Sequence, residues 1–138
     1  MIENGLYALL TQDTTVSSLL GAADQVHFQF IPRGSKLPCV VIHRIFSEPI
    51  TTLDDVADLV PARYQFDCYA GDALKSRALS GAIFNLLKNY VGDLPNSPPD
   101  THVQACIVNN DFDMPYEEGA KDVTFRAILD ITIWYANL

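Results

Sequence analysis

Cysteine is scarce in this sequence and poorly placed for chemistry. Cys39, Cys68 and Cys106 are the three cysteines in 138 residues. Their number is odd, their spacings are wide and no C-x-x-C pair occurs, which argues against a disulfide framework or a zinc site and fits a reducing compartment. Each lies in a strand-like run, where a thiol serves as a small apolar filler. Basic residues are also in short supply: nine Lys and Arg stand against seventeen Asp and Glu, for a net charge of -8. The nine, Arg33, Lys36, Arg44, Arg63, Lys75, Arg77, Lys88, Lys121 and Arg126, form no cluster. Binding to phosphate draws its affinity from cations that displace counterions, so nucleic acid and anionic membranes are disfavoured as ligands. Long apolar runs are missing as well. Stretches such as Pro38-Cys39-Val40-Val41-Ile42 are too short for a transmembrane helix. The opening Met1-Ile2-Glu3-Asn4 places an acid where a signal peptide carries a base, and the expectation is synthesis and folding in the cytoplasm.

What the chain does have is a globular balance, 49% hydrophobic and 19% charged, at a length that suits one domain over residues 1–138. Ile2, Leu6, Leu9 and Leu10 share one helical stripe, so residues 2–11 are expected to form a helix. A short second turn follows, capped by Asp13 or Thr14, with Val16, Leu19 and Leu20 on its apolar side and Gly21 as its stop. Residues 26–31 and Cys39 to Ser47 read as strands. Residues 48–61 read as a loop or a weak hairpin arm, acidic at Asp54, Asp55 and Asp58 and long for a simple connection. Ala62, Tyr64, Phe66 and Cys68 alternate with Arg63, Gln65, Asp67 and Tyr69, the cleanest strand pattern in the chain.

Asp72 is the expected N-cap of a helix over residues 73–90. Leu74, Ala78, Ala82, Leu86 and Tyr90 form one row on it and Leu79, Ile83 and Leu87 another, with Gly92 as the left-handed stop. His102 to Val108 reads as a strand, Asn109 to Asp122 as an acidic turn region and Val123 to Tyr135 as a long terminal strand. Strands therefore follow strands without regular βαβ alternation. The expected fold is α+β: a mostly antiparallel or mixed sheet with one long and one or two short helices packed on one face.

No reactive constellation stands out. His27, His43 and His102 lack ligand-like partners at i+2 or i+4, and no P-loop, G-x-S-x-G, G-x-G-x-x-G or H-E-x-x-H motif is present. A Cys–His nucleophile pair has no local support. Asp54, Asp55 and Asp58 lack the glycine and distant Glu of an EF-hand and read as a solvated acidic loop. The expectation is a chain without catalytic residues, metal or cofactor. Asp67 and Asp130 differ from the other acids because each sits inside a strand, four residues from Arg63 and Arg126 respectively. Each pair points to one side of its strand. If the two strands are neighbours, the four residues form a cross-strand charge ladder on the face away from the helices. Tyr69 and Trp134 fall on the same faces. Aromatic residues are enriched at interfaces, so Arg63, Asp67, Tyr69, Arg126, Asp130 and Trp134 are the candidate subunit contact.

In its entirety the chain resembles the tail-completion (tail-to-head joining, tail terminator) family of long-tailed bacteriophages and prophages. Four segments carry the resemblance. They are Leu6-Tyr7-Ala8-Leu9-Leu10 with Val16-Ser17-Ser18-Leu19-Leu20-Gly21; Phe30-Ile31-Pro32 with Leu37 through Ile45; Ala62 through Ala70 with Ala78, Leu79, Ile83 and Leu87; and Asn110-Asp111 and Tyr116 with Leu129 through Tyr135. The resemblance implies a hexameric ring at the head-proximal end of the virion tail, made in the host bacterial cytoplasm. Such a ring caps the tube of the major tail protein, docks on a head-completion or connector protein, and lets DNA pass without specific binding. The loop bearing Asp54, Asp55 and Asp58 is expected to face that lumen or a neighbouring subunit. Another virion assembly part (a tube or head-completion protein) and a small-ligand-binding module remain as alternatives.

Overall fold

The computed structural model describes residues 2–21, 25–30, 36–47, 59–95, 101–114 and 124–137. The acidic segment with Asp54, Asp55 and Asp58 lies outside the described residues. The elements are α1 (Ile2–Gln12), α2 (Thr14–Leu20), β1 (Val26–Phe28), β2 (Cys39–Ser47), β3 (Leu59–Ala70), α3 (Ala73–Leu87), β4 (Gly92–Asp93), β5 (Thr101–Met114) and β6 (Phe125–Asn137). The class is α+β, as the element order implies. Among the described residues six strands form one mixed sheet in the order β1-β2-β3-β6-β5-β4, in which only β1 and β2 are parallel.

Local chemistry fixes the helix ends. Asp13 has extended backbone and its side chain accepts from the Val16 N–H at 2.9 Å, while Gly21 takes the left-handed conformation with φ 83° and donates to Ser17 O. Asp72 caps α3 by accepting from the Leu74 N–H at 2.7 Å. The far end of α3 departs from the expected span. The helix closes at Leu87, short of residue 90, and Tyr90 turns away to donate its hydroxyl to Asp93 O at 2.7 Å. Gly92, the expected stop, instead begins β4 with φ 131°. The described helices have 11, 7 and 15 residues, a graded set in place of one long helix with short companions.

The stripe that α3 buries is also rotated from the first expected row. Leu74 is 79% exposed, whereas Leu79, Ile83 and Leu87 are buried together with Ser76 and Ser80. Serines at the contact keep their hydroxyls satisfied: Ser76 Oγ donates to Ala73 O at 2.9 Å.

Alternation decides the two faces of the sheet. Ala62, Tyr64, Phe66, Cys68 and Ala70 of β3 are fully buried beneath the helices, opposite Ile133, Ile131, Leu129, Ala127 and Phe125 of β6. All of these except Ala70 and Phe125 belong to one hydrophobic cluster with Val40 and Ile42 of β2, Leu6 and Leu10 of α1, and Leu79, Ile83 and Leu87 of α3. Glu3 of α1 reaches this same side and accepts from the Tyr64 hydroxyl at 3.1 Å.

Three strand ends differ from the periodicity reading by three residues or more. β1 stops at Phe28 because Gln29 adopts φ 71°, a left-handed conformation that strands do not use. β3 starts three residues early, since Leu59, Val60 and Pro61 pair with Ala136, Tyr135 and Trp134. β5 runs on through Asn109 to Met114, which the acidic composition assigned to a turn region. Partners for the polar groups explain that extension. Arg77 of α3 donates to Asp111 Oδ1 and Asp113 Oδ1, each at 2.6 Å, and Asn109 donates to Thr132 Oγ1 at 2.7 Å.

Candidate assembly face

The sheet surface away from the helices gathers all six residues singled out on β3 and β6. The two strands pair antiparallel over their whole length, with Gln65 opposite Asp130, Asp67 opposite Ile128, Tyr69 opposite Arg126 and Pro61 opposite Trp134. The cross-strand ladder is therefore present, and its ion pairs run between the two strands. Arg63 donates to Asp130 through Nε at 2.9 Å and closes a second bond from Nη2. Arg126 Nη2 donates to Asp67 Oδ2 at 2.6 Å. Each arginine thus reaches a diagonal neighbour, at a separation that long side chains span easily.

Asp67 is the hub of the face and has no exposed surface. Its other contacts are Gln65 Nε2, which donates to Oδ1 at 2.8 Å, and His43 Nε2 of β2, 3.0 Å from Oδ2. The Arg126 guanidinium also lies 5.6 Å from the Tyr69 ring centroid, within cation–π range. Trp134 is half-buried on the same side. Alternation of β3 and β6 was enough to find the four charges. His43 was missed because it comes from the adjoining strand and is far from Asp67 in sequence. Asp111 and Asp113 were assigned to a turn, although their i, i+2 spacing is that of two side chains on one side of a strand.

The Arg63 guanidinium, through its hydrogen bonds, holds the Asp130 carboxyl below its ordinary pKa, against an opposing push from burial. A depressed folded-state pKa contributes stability above the unfolded value, about 3.9 for Asp, and that contribution is lost as pH falls through the lower folded value. The stability gap between the parent and Asp130→Asn is therefore expected to be constant near neutrality and to shrink below pH ~4. Urea titrations of both proteins across that range check it.

The cysteines are built as filler. Burial pushes the thiols of Cys39 and Cys106 up to about 11, and that of Cys68 higher still. Burial thus opposes formation of the thiolate, the reactive form, at all three. Ellman's reagent is expected to modify all three in denaturant and none rapidly without it. Among the described residues, no group of three or more His, Cys, Asp and Glu converges as a metal site would require.

What this arrangement offers chemically is a rigid surface, charge-paired at its centre and apolar toward its rim. Phe46, Ile107, Phe112 and Met114 are 48%, 52%, 38% and 39% exposed. By strand register, all four lie on the side of Arg63 and Asp130.

Comparison with known proteins agrees with a structural role. The chain is similar to a protein chain in the virion of a native gene transfer agent particle, with a TM-score of 0.63 and 15% identity over 95% of this chain and 91% of that one. At that identity the likeness is one of fold. No curated protein matches the sequence. The family model described as tail completion protein gp17 matches residues 4–136, and the chain belongs to that family.

Proposed function

We propose that this chain is the subunit of a ring of six copies that caps the head-proximal end of a phage or prophage tail tube and joins it to the head connector. Membership of the tail completion family supports a structural part of the tail. The observation that carries the finer reading is the helix-free face of the sheet. Its centre is held by crossed Arg–Asp pairs while large apolar side chains remain exposed at its rim. A patch of that composition suits contact with another protein surface. Arg63, Asp67, Tyr69, Arg126, Asp130 and Trp134 form this contact in the proposal. Major tail tube protein lies below the ring and a head-completion or connector protein above it.

DNA crosses the lumen without being held. A net charge of -8 supports that reading, since an anionic wall releases no counterions on meeting phosphate. Asp54, Asp55 and Asp58 are assigned to the wall or to a neighbouring subunit. The chain performs no bond-making chemistry in this scheme.

Mixing the purified chain with uncapped tail tubes and imaging them tests the assignment. A cap binds one end and halts growth. Decoration along the tube, or binding to connectors alone, would transfer the chain to one of the other assembly roles. Within the face, Arg63 is the residue to reverse, because its side chain is 40% exposed. Arg63→Glu is expected to weaken assembly while circular dichroism stays that of the parent.

A further inference from the structure

The outer strands of the sheet are much shorter than the strands they flank. β1 pairs with Val40, Val41 and Ile42 of β2, and β4 with His102 and Val103 of β5. Beyond them, no described strand pairs with the outer edge of β2 from His43 to Ser47 or with that of β5 from Gln104 to Met114. Such edges are templates for another strand. Their directions are set by the sheet. Successive antiparallel pairings from β2 through β3 and β6 to β5 leave β2 and β5 running oppositely. A head-to-tail repeat of this sheet sets β5 of one copy antiparallel to β2 of the next.

We infer that two copies of this chain join by strand addition, Phe112–Met114 of one copy pairing with His43–Ile45 of the next. The inference rests on the self-assembling ring proposed above and adds an edge contact to the face contact assigned there to β3 and β6. Obstruction and the side-chain faces set the register together. β1 of the second copy occupies the line that β5 would follow past His43, so β5 reaches no further than that residue. Met114 then lies beside His43, Asp113 beside Arg44 and Phe112 beside Ile45.

The side chains brought together are complementary on both sides of the sheet. Arg44 and Asp113 both face the helix layer, in line with Tyr64 and Ala127. The Asp113 side chain is 64% exposed even while it accepts from Arg77. On the other side, Ile45 and Phe112 are 47% and 38% exposed. Ile45 is the extra residue at the β2 bulge, set between Arg44 and Phe46 and without a partner on β3. The β2 edge carries Arg44, which in its own copy lies 3.4 Å from Glu3 Oε1 with 40% of its side chain exposed, and the β5 edge carries Asp111 and Asp113, so a cation of one edge meets the acids of the other. Pairing β5 with β5 would oppose acids, which disfavours a symmetric dimer. Within one copy β3 and β6 stand between the two edges. The contact is therefore heterologous, the kind that closes into a ring.

Disulfide trapping and charge exchange test the inference. In the double variant Ile45→Cys/Phe112→Cys, mild oxidation of the concentrated protein is expected to give a ladder of covalent oligomers, since Cα atoms across an antiparallel pair fall within disulfide range. Neither single variant should extend beyond a dimer. Ile45→Glu or Phe112→Lys alone is expected to weaken self-association in sedimentation by about tenfold or more, and the double variant to restore it. Restoration is a result that mere surface damage cannot produce. An unlinked monomer throughout, or a double variant no better than the singles, overturns the edge contact. If the chain still caps tail tubes, the ring reading survives that failure; a covalent ladder without capping keeps the edge contact and removes the tail role.

Discussion

Replacing Asp67 with lysine is expected to destabilise the fold severely, whatever it does to assembly. The carboxylate has no exposed surface and holds Arg126 at 2.6 Å, Gln65 at 2.8 Å and His43 at 3.0 Å. Those partners tie β2 and β6 to β3, the strand between them. A lysine would remove every acceptor and set a buried cation beside Arg126. Breaking a buried charged hub from one side costs about 3–5 kcal/mol, against a total stability of about 5–15 kcal/mol for a domain. Asp67→Asn keeps the shape and one acceptor, so a smaller loss of about 1.5–3 kcal/mol is expected. Urea unfolding followed by circular dichroism separates the outcomes. Of the two charge reversals on β3, Arg63→Glu reports on contacts between chains and Asp67→Lys on the fold. A Lys variant that unfolds at the parent's midpoint would show that this cluster does not hold the strands together.

Much of this was legible in the sequence because the β3 and β6 alternation is strict. Tyr64, Phe66 and Cys68 had to face one way and Arg63, Asp67 and Tyr69 the other, and a one-residue slip would have exposed the whole core set. The caps at Asp13, Gly21 and Asp72 were legible for a similar reason, since each depends on a local hydrogen bond or dihedral. The failures came where distant partners decide. Asn109 to Met114 looks like a turn until Arg77 on α3 and Thr132 on β6 are known to satisfy it. Leu74 looks like core by hydrophobicity. The α3 face turned to the sheet instead has Ser76 and Ser80 inside and Leu74 outside. Of the candidate contact residues, spacing could place each pair on one side of a strand, but only the pairing of β3 with β6 shows that Arg63 holds Asp130 and not the nearer Asp67.

Phe66→Ala is expected to be the most damaging truncation in the hydrophobic core. Phe66 is fully buried, and its register places it between Ile42 of β2 and Leu129 of β6, on the side covered by the helices. Neighbours on two strands and the α3 layer above them are all fixed by backbone pairing or helix packing, so the site cannot collapse to fill the lost volume. Such Phe→Ala changes cost about 3–5 kcal/mol, the transfer loss plus a cavity term. On α3, Ile83→Ala is expected to cost about 2–5 kcal/mol by the same mechanism. Leu74→Ala, at 79% exposure, is expected to stay within about 0.5 kcal/mol of the parent. The contrast between the two α3 variants is the decisive part, because both remove similar aliphatic volume from the same helix. Equal losses at Leu74 and Ile83 would require α3 to present a different face to the sheet, and the stripe of Ser76, Leu79, Ser80, Ile83 and Leu87 would no longer be its inner side.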